Sequence, residues 1–344
     1  MPDGRSTDAT GVRAVREGDL GRIVLDRPRA LNALDLPMVR RLREALAGWR
    51  SEPLRAVTIE SGTAGVFCAG GDIRRIRQNT LEGDLPASDE FFATEYEVNE
   101  MLASYPVPVV ALIDGVCMGG GMGLSVHGPF RVVTERAVMA MPETAIGFFP
   151  DIGASHFLSR LPGAVGTYLG LTGARMGPAD ALEAGLATHY VPSGDLDAVL
   201  GALADDRGPV EAVLRDLASS PAEPPGIGRR RGRIDSAFGA TTVNGLFKRL
   251  DDDASDWARE TRTTLEAMSP QSLELTLDLI LWGGQRSLRE CLDAEREAAA
   301  YVVRSPDFIE GVRAALVDKD RSPRWKASQY EGMSPEGAIR WAAR

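Results

Sequence analysis

Two segments of the sequence share one design, in which an apolar run leads into a cluster of glycines. The first, Val-Phe-Cys-Ala-Gly-Gly-Asp-Ile, covers residues 66–73, and the second covers residues 110–121 and ends in Met-Gly-Gly-Gly. An apolar run bounded by turn residues is typical of a buried strand, and glycine lets the backbone turn tightly into a helix. The sequence therefore predicts strand–turn–helix units, which belong to α/β folds.

The residues around these segments continue the same alternation of strands, turns and helices. Gly18-Asp19 has the composition of a hairpin turn, and Asp35 is a candidate N-cap for an amphipathic helix over residues 36–50. A second helix is predicted over residues 88–104. The predicted strands, in chain order, are 12–17, 20–26, 56–60, 107–113, 130–134 and 137–141, the last two forming a further pair.

The pattern changes at about residue 195, after which the apolar spacing is helical. A stretch rich in proline, glycine and arginine at residues 220–233 predicts a loop. We therefore expect a core at residues 1–195 and a helical C-terminal region at residues 196–344 that packs on this core.

The glycine clusters have a chemical meaning if each opens a helix. Amide N–H groups at a helix N-terminus have no partner inside the helix and point outward. One such group from each loop, aimed at a common point, would form an oxyanion hole. The alternative is that these glycines serve only tight turns or close helix packing, because short glycine motifs occur often by chance.

Composition excludes several classes of protein. The net charge of −10 disfavours binding to nucleic acid. The three histidines, at positions 127, 156 and 189, lack the spacing of zinc ligands, so no metal is expected. The three cysteines, at positions 68, 117 and 291, form no CxxC pair, and disulfides are not expected.

Neither a membrane nor a secretion pathway is indicated. No apolar run approaches the roughly 18 residues that a membrane-spanning helix needs. The opening segment Met1–Asp8 is short and polar and lacks the features of a signal or transit peptide. We therefore expect a cytoplasmic protein that does not associate with a membrane.

The motifs Ala-Gly-Gly-Asp-Ile at 69–73 and Met-Gly-Gly-Gly-Met-Gly-Leu-Ser at 118–125 resemble the paired signatures of the crotonase, or enoyl-CoA hydratase/isomerase, superfamily. The resemblance implies a crotonase-type spiral of strand-strand-helix repeats with a helical C-terminal region. It also implies that the amides of Gly71 and Gly120 hold a thioester carbonyl. Residues 26–34 resemble the stretch that contacts CoA in this superfamily.

Within the superfamily, the carboxylates favour hydrolysis over hydration. The position at which the hydratases carry their first catalytic glutamate is Gly123, which has no ionisable side chain. Residues 141–153 instead resemble the 3-hydroxyisobutyryl-CoA hydrolases of valine catabolism, as do residues 91–96, 125–128, 268–270 and 311–320. The resemblance implies hydrolysis of a short branched or 3-hydroxy acyl-CoA. An enoyl-CoA hydratase/isomerase and a non-catalytic acyl-CoA-binding protein remain the alternatives.

The same resemblance assigns roles to particular residues. Glu143 would attack the carbonyl to form a mixed anhydride or would act as a base toward water. Asp151 would orient the 3-hydroxyl group or assist proton transfer to the leaving thiolate. The remaining expected substrate contacts are Glu95, Arg27, Arg29, Ala69 and Asp72.

Each of these residues also has a purely structural interpretation. Asp151 precedes a helical pattern and could be its N-cap, and Asp72 could cap or pair locally. Glu143 alone would be an ordinary loop residue, and Glu95 would lie on a solvated helix face. Arg27 and Arg29 would be solubilising charges.

The resemblance also bears on cofactors and partners. It implies no resident cofactor, since CoA arrives as part of the acyl-CoA substrate. Superfamily members commonly form trimers or hexamers, and whether this chain forms a homo-oligomer is left open. One departure from the hydrolases is Ala154-Ser155-His156, where a more glycine-rich run with an aromatic residue is expected.

Overall fold

The computed structural model describes residues 10–205 and 208–327. The segment Met1–Asp8, on which the expected location depends, lies outside these residues. The strands are β1 (Val12–Glu17), β2 (Leu20–Leu25), β3 (Ala56–Ser61), β4 (Val66–Cys68), β5 (Val109–Ile113), β6 (Val116–Met118), β7 (Phe130–Val133), β8 (Val138–Ala140) and β9 (His189–Tyr190).

Helices account for most of the remaining elements. The α-helices are α1 (Leu36–Trp49), α2 (Ile73–Glu82), α3 (Leu85–Ala103), α4 (Gly120–Val126), α5 (Ala154–Leu158), α6 (Val165–Thr172), α7 (Pro178–Glu183), α8 (Leu196–Asp205), α9 (Val210–Leu217), α10 (Gly226–Phe238), α11 (Val243–Asp252), α12 (Asp256–Glu266), α13 (Pro270–Gly283), α14 (Leu288–Val302) and α15 (Pro306–Val312). Short 3₁₀ segments lie at Pro28–Ala30, Glu143–Ile146 and Ser193–Asp195, and a π-helical turn lies at Arg313–Val317.

The chain forms two compact units, each assembled from separate segments. The first comprises residues up to Gly71, Glu97–Met139 and Met176–Pro224. The second comprises Asp72–Tyr96, Ala140–Arg175 and the chain from Pro225 onward. These units follow spatial proximity, and the division of the chain at residue 195 stays a prediction.

The first unit is built on a six-stranded sheet in the order β1-β2-β3-β5-β7-β9. Strands β1 and β2 are antiparallel and the other neighbours are parallel. The predicted hairpin is confirmed, with Val12 opposite Leu25 and a positive φ of 60° at Gly18 in the turn. Apolar strand residues such as Val110 and Val132 pack with Val199 and Leu203 of α8, which buries one part of the core.

A smaller sheet carries the two glycine motifs. Its order is β4-β6-β8, and β4 runs parallel to β6 with Cys68 opposite Cys117. The strands predicted over residues 130–134 and 137–141 are both present, but β7 belongs to the six-stranded sheet and β8 to the smaller one. The last residues of β4 and β6 therefore lie at the same edge of one sheet, and each strand is followed there by a glycine loop.

The second unit is helical in its described residues. Helices α12 to α15 each begin at a serine whose side chain accepts a backbone N–H, a common N-cap arrangement. The loop predicted for residues 220–233 is wrong from Gly226 onward, where α10 begins. The apolar residues Ile227 and Ile234 of α10 are buried, and Arg231 forms an ion pair with Asp235 one turn later. The burial and the ion pair together stabilise the helix.

Over residues 10–205 and 208–327, the helices fall short of the combined length and hydropathy that crossing a bilayer requires.

Candidate active site

The two glycine loops of the first unit lie against each other. Gly70 has a φ of +108°, and a Cβ placed on it would lie 3.3 Å from the carbonyl oxygen of Met118 and 3.8 Å from the amide nitrogen of Gly120. A Cβ on Gly121 would lie 2.6 Å from the carbonyl oxygen of Cys68, closer than a side chain tolerates. Glycine is therefore required here because the two backbones approach each other closely.

The amides of Gly71 and Gly120 are both free to donate. Neither N–H donates a hydrogen bond within the described part of the chain. Gly120 is the first residue of α4, where intrahelical acceptors are missing, while Gly71 is held by the bond from Leu34 N to the neighbouring Gly70 carbonyl, 2.8 Å long. Unpaired amides on two adjoining loops are the kind of donor that an oxyanion hole requires.

The second unit contains five buried carboxyl groups, of which Asp307 on α15 accepts hydrogen bonds from Ser269 and from the Lys326 amide. The other four belong to Glu95 on α3, Glu143 in a 3₁₀ segment, Asp151 before α5 and Glu295 on α14, and each is at most 7% exposed. No Lys or Arg among the described residues forms an ion pair with them. Buried acids without a cation are rare in proteins, and they cluster at functional sites.

Burial and mutual repulsion make these groups hard to ionise. Burial raises the pKa of Glu143 well above its ordinary value, and the charge of Asp151 adds to the shift. The pKa of Glu95 is raised well above its ordinary value by burial, then by the charges of Asp151 and Glu143. Burial also raises the pKa of Asp151 to about 7. Ionisation of all three groups is therefore disfavoured relative to exposed carboxyl groups, and their titrations are linked.

Asp151 is oriented by a tyrosine and caps no helix. Its Oδ2 accepts a hydrogen bond of 2.7 Å from the Tyr96 hydroxyl. The N-cap of α5 is Gly153, without a side-chain hydrogen bond, so the N-cap interpretation of Asp151 is wrong. The two residues that follow Asp151 have positive φ, 56° at Ile152 and 82° at Gly153.

Glu143 is fixed by the packing of its own turn. A Cβ on Gly147, at the end of this turn, would lie 2.3 Å from the carbonyl oxygen of Asp307 at the start of α15. The carbonyl of Thr144 accepts from the Ser269 amide at 3.2 Å, and the Ser269 hydroxyl donates to Asp307 at 2.6 Å. The motif at residues 268–270 therefore supports the backbone that carries Glu143.

Two carboxyl oxygens in the cluster have no hydrogen-bond partner among the described residues, namely Glu95 Oε1 and Glu143 Oε2. A buried acceptor that stays unpaired costs roughly 1–3 kcal/mol. Both atoms can therefore receive a donor from a bound molecule. Other buried polar atoms, such as Thr58 Oγ1 and Thr276 Oγ1, are also unpaired, but among the buried acids the unpaired oxygens belong to the mutually interacting group of Glu95, Glu143 and Asp151.

Three aromatic rings of the second unit stack on one another close in sequence to these carboxyl groups. Phe92 stacks on Phe148 with 5.7 Å between ring centroids, and Phe148 stacks on Phe149 at 4.6 Å. Phe92 is one turn before Tyr96 and Glu95 on α3, and Phe148 lies between Glu143 and Asp151 in sequence. An apolar neighbourhood of this kind is a source of the desolvation that raises the carboxyl pKa values.

The other predicted contact residues have structural partners. Arg27 pairs with Asp35 at 3.3 Å and donates to the Ala33 carbonyl at 2.8 Å. The Ala69 amide donates to the Leu31 carbonyl at 3.1 Å, and Asp72 caps α2 through the Arg75 amide. Their contacts with substrate stay predictions.

Arg29 differs from these residues because its side chain is exposed. A substrate contact there also stays a prediction. No group of three or more His, Cys, Asp or Glu residues in the described ranges has the arrangement of a metal site.

Two residues of the cluster were missed by sequence reasoning. Tyr96 falls within the motif at residues 91–96, and nothing near it in sequence indicates its hydrogen bond to Asp151. Glu295 carried a signal, because it lies on the face of α14 that contains the buried residues Cys291, Leu292 and Ala299. An acidic residue on an apolar helix face indicates a buried polar contact.

The enoyl-CoA hydratase/isomerase family model matches residues 20–339, and the chain belongs to that family. It is similar to a curated relative from Gallus gallus named mitochondrial 3-hydroxyisobutyryl-CoA hydrolase, with 40% identity over 337 residues that cover 95% of this chain and 87% of the relative.

Solved structures agree with the family. A structure described as an enoyl-CoA hydratase from Rhodobacter sphaeroides 2.4.1 is 39% identical, with a TM-score of 0.86 and 97% of each chain covered. One described as a carnitinyl-CoA dehydratase from Mycobacterium thermoresistibile is 34% identical, with a TM-score of 0.87 and coverage of 97% of this chain and 96% of that chain. The predicted crotonase-type α/β fold is confirmed.

Proposed function

We propose that this chain hydrolyses the thioester of 3-hydroxyisobutyryl-CoA, releasing 3-hydroxyisobutyrate and free CoA. The observation that carries the proposal is the buried group of Glu95, Glu143 and Asp151, in which two carboxyl oxygens lack a partner among the described residues. The relative from Gallus gallus, named a hydrolase of this substrate, supports the choice of acyl group.

In this proposal, the amides of Gly71 and Gly120 bind the thioester carbonyl oxygen. Negative charge develops on that oxygen when the carbonyl carbon is attacked, and two fixed N–H donors stabilise it without a metal. The contact between the two glycine loops supports this role, since it brings two unpaired amides to one edge of the small sheet.

Glu143 is the group that starts the reaction. Its carboxylate either attacks the carbonyl carbon, so that the C–S bond breaks and a mixed anhydride forms, or takes a proton from the attacking water. In the first route water then cleaves the anhydride and restores Glu143. Both routes consume one water molecule and yield the carboxylic acid and the thiol.

Asp151 serves the leaving group and the acyl chain. With a pKa of about 7, it carries a proton in a large fraction of molecules at neutral pH and can deliver it to the departing thiolate sulfur. It would also hydrogen-bond a hydroxyl group on the substrate, since a carboxyl group can donate or accept. Glu95 supplies a third polar contact to substrate or water.

CoA enters as part of the substrate, so the reaction needs no resident cofactor. Arg27 and Arg29 are proposed to contact the CoA phosphates, and Ala69 and Asp72 to line the bound thioester. The substrate places the reaction in valine catabolism. We also propose that the chain forms a homo-oligomer, and analytical ultracentrifugation would measure the number of subunits.

Hydration of an enoyl-CoA is the second candidate, because a structure described as an enoyl-CoA hydratase is 39% identical to this chain. It is disfavoured by Gly123, which lies buried in α4 where the hydratases carry a catalytic glutamate. Binding of acyl-CoA without turnover is a third candidate. It is disfavoured because the chain carries both Glu143 and Asp151, the two carboxyl groups that the reaction uses.

The experiment compares four thioesters side by side, namely 3-hydroxyisobutyryl-CoA, 3-hydroxypropionyl-CoA, crotonyl-CoA and acetyl-CoA. Free thiol and enoyl absorbance are followed in the same samples. Thiol release that is fastest with 3-hydroxyisobutyryl-CoA supports the proposal. Loss of enoyl absorbance without thiol release would instead identify a hydratase, and saturable binding without either signal would identify a binding protein.

The proposed location is the cytoplasm, whereas the relative from Gallus gallus is described as mitochondrial. Fractionation of the native cells, with the full chain detected by antibody, tests this point. Recovery with a mitochondrial marker would contradict the cytoplasmic assignment and leave the proposed chemistry unaffected.

A further inference from the structure

Glu295 makes three hydrogen bonds to one short segment of the chain. Its Oε2 accepts from the Gly153 amide at 2.6 Å, and its Oε1 accepts from the Ser155 amide at 2.9 Å and from the Ser155 hydroxyl at 2.5 Å. The side chain is completely buried on α14. All three donors lie within four residues of Asp151 in sequence.

The segment that Glu295 holds has an unfavourable backbone. Ile152 has a φ of 56° and Gly153 a φ of 82°, so two consecutive residues are left-handed. This region is disfavoured for a β-branched residue such as isoleucine, and it persists only where the surroundings impose it. Glu295 is one constraint, and the packing of Gly283 against the Ser155 carbonyl is another.

We propose that Glu295 is a positioning residue, whose three hydrogen bonds hold the left-handed turn at Ile152 and Gly153 and thereby fix the carboxyl group of Asp151. This inference rests on the proposed hydrolase function, in which Asp151 acts on the substrate. The inference also assigns a role to Ser155, which stands where a glycine-rich run is expected. Ser155 donates two of the three hydrogen bonds to Glu295.

The protonation state of Glu295 is governed by two opposing effects. Three donors favour the charged carboxylate, because a carboxylate is an acceptor only. Burial nevertheless raises the pKa of Glu295 to about 8, and the charge of Asp151 contributes to this shift. Replacement by glutamine keeps the size of the side chain and converts one acceptor into a donor, so at least one of the bonds is lost.

The first test measures the turn itself, independently of activity. Amide hydrogen exchange is followed at Gly153 and Ser155 in the wild type, Glu295→Gln and Ser155→Ala. We expect exchange at least about tenfold faster in Glu295→Gln, and a smaller increase at Gly153 in Ser155→Ala, with the global melting transition retained. Glu297→Gln is the control, since Glu297 is exposed on the same helix. Unchanged exchange in Glu295→Gln would overturn the proposal.

The second test asks whether the effect on catalysis passes through Asp151. We expect Glu295→Gln to lower kcat by about 10–100-fold, the usual range for residues that orient a catalytic group, with KM changed by less than about threefold. In an Asp151→Asn background the same substitution should lower kcat by less than about twofold, because the oriented group is already disabled.

The outcomes separate this inference from the proposed function. Equal losses from Glu295→Gln in both backgrounds would overturn positioning through Asp151 and leave only a structural role. Wild-type kcat in Glu295→Gln would also overturn it. If the wild type released no thiol from any ester, the proposed hydrolase function would be wrong. The hydrogen-exchange experiment would still decide whether Glu295 holds the turn.

Discussion

The hydroxyl of Tyr96 donates a 2.7 Å hydrogen bond to Oδ2 of Asp151, and both side chains are buried. Burial raises the pKa of Asp151 to about 7, and this hydrogen bond opposes the rise because it stabilises the carboxylate. The balance leaves the Asp151 proton easy to move near neutral pH. That property suits a residue that passes a proton to a leaving group.

Tyr96→Phe should therefore move the pH dependence of the enzyme. Without the hydroxyl, the pKa of Asp151 rises further, and the inflection of kcat/KM that reports this group shifts upward from about pH 7. The measurement is a profile of kcat/KM between pH 5 and 9. An unshifted inflection would mean that another group controls the profile.

Asp151→Asn should make the stability less sensitive to pH. An aspartate titrates at about 3.9 when unfolded, whereas burial raises the pKa of Asp151 to about 7 in the fold. The folded chain binds this proton more tightly, so Asp151 costs stability as pH rises from about 4 to 7 and the cost persists above that range.

The free energy of unfolding of Asp151→Asn, relative to wild type, should accordingly increase by at least about 1 kcal/mol between pH 5 and pH 8. Urea unfolding at both pH values measures this difference. Asp252→Asn, at an exposed position, is the matched control and should show little change. A decrease for Asp151→Asn between pH 5 and pH 8 would show that the carboxylate is stabilised in the fold.

Gly70→Ala should lower kcat by about tenfold or more through the oxyanion loops. Its new Cβ would lie 3.3 Å from the Met118 carbonyl at a φ of +108°, which pushes the two glycine loops apart. Gly65→Ala is matched to it, because Gly65 has a φ of +73° with nothing within 4 Å of the added carbon. The control should lower the melting temperature alone, and equal kcat values for the two variants would contradict the role of the loops.

Turnover in H₂¹⁸O tests whether Glu143 forms an anhydride that water attacks at its glutamyl carbon. If an anhydride forms and water attacks its glutamyl carbon, the label enters Glu143, and further turnovers carry it into the product. General-base catalysis places the label in the product alone. Mass spectrometry of the peptide that contains Glu143 reads the result. Label in Glu143 supports the anhydride route with attack of water at the glutamyl carbon, and its absence after many turnovers excludes that path.

Local sequence patterns predicted much of the first unit. The hairpin at Gly18 and the helix capped by Asp35 follow from turn and capping chemistry between neighbouring residues. The motifs around Gly71 and Gly120 indicated the glycine loops, because a close approach of two backbones leaves glycine as the residue that fits. The turn and the cap were predictable because their physical causes lie between neighbouring residues, whereas the glycine loops were recognised from motifs that resemble a known family.

The sequence did not predict the contacts that tune the carboxyl groups. Tyr96 and Asp151 are 55 residues apart, and Gly153 and Glu295 are 142 residues apart. No local pattern specifies which buried partner a distant side chain meets. The loop expected at residues 220–233 failed for a related reason, since burial of Ile227 and Ile234 outweighs the glycines in that stretch.

The most direct measurement is thiol release from 3-hydroxyisobutyryl-CoA by Glu143→Gln at pH 7, alongside wild type and with binding of the ester measured in the same preparation. We predict that release falls by at least about a hundredfold while the ester still binds, because glutamine keeps the shape of the side chain but is neither a nucleophile nor a base. Release at the wild-type rate would contradict the assignment of Glu143 and the account built on it.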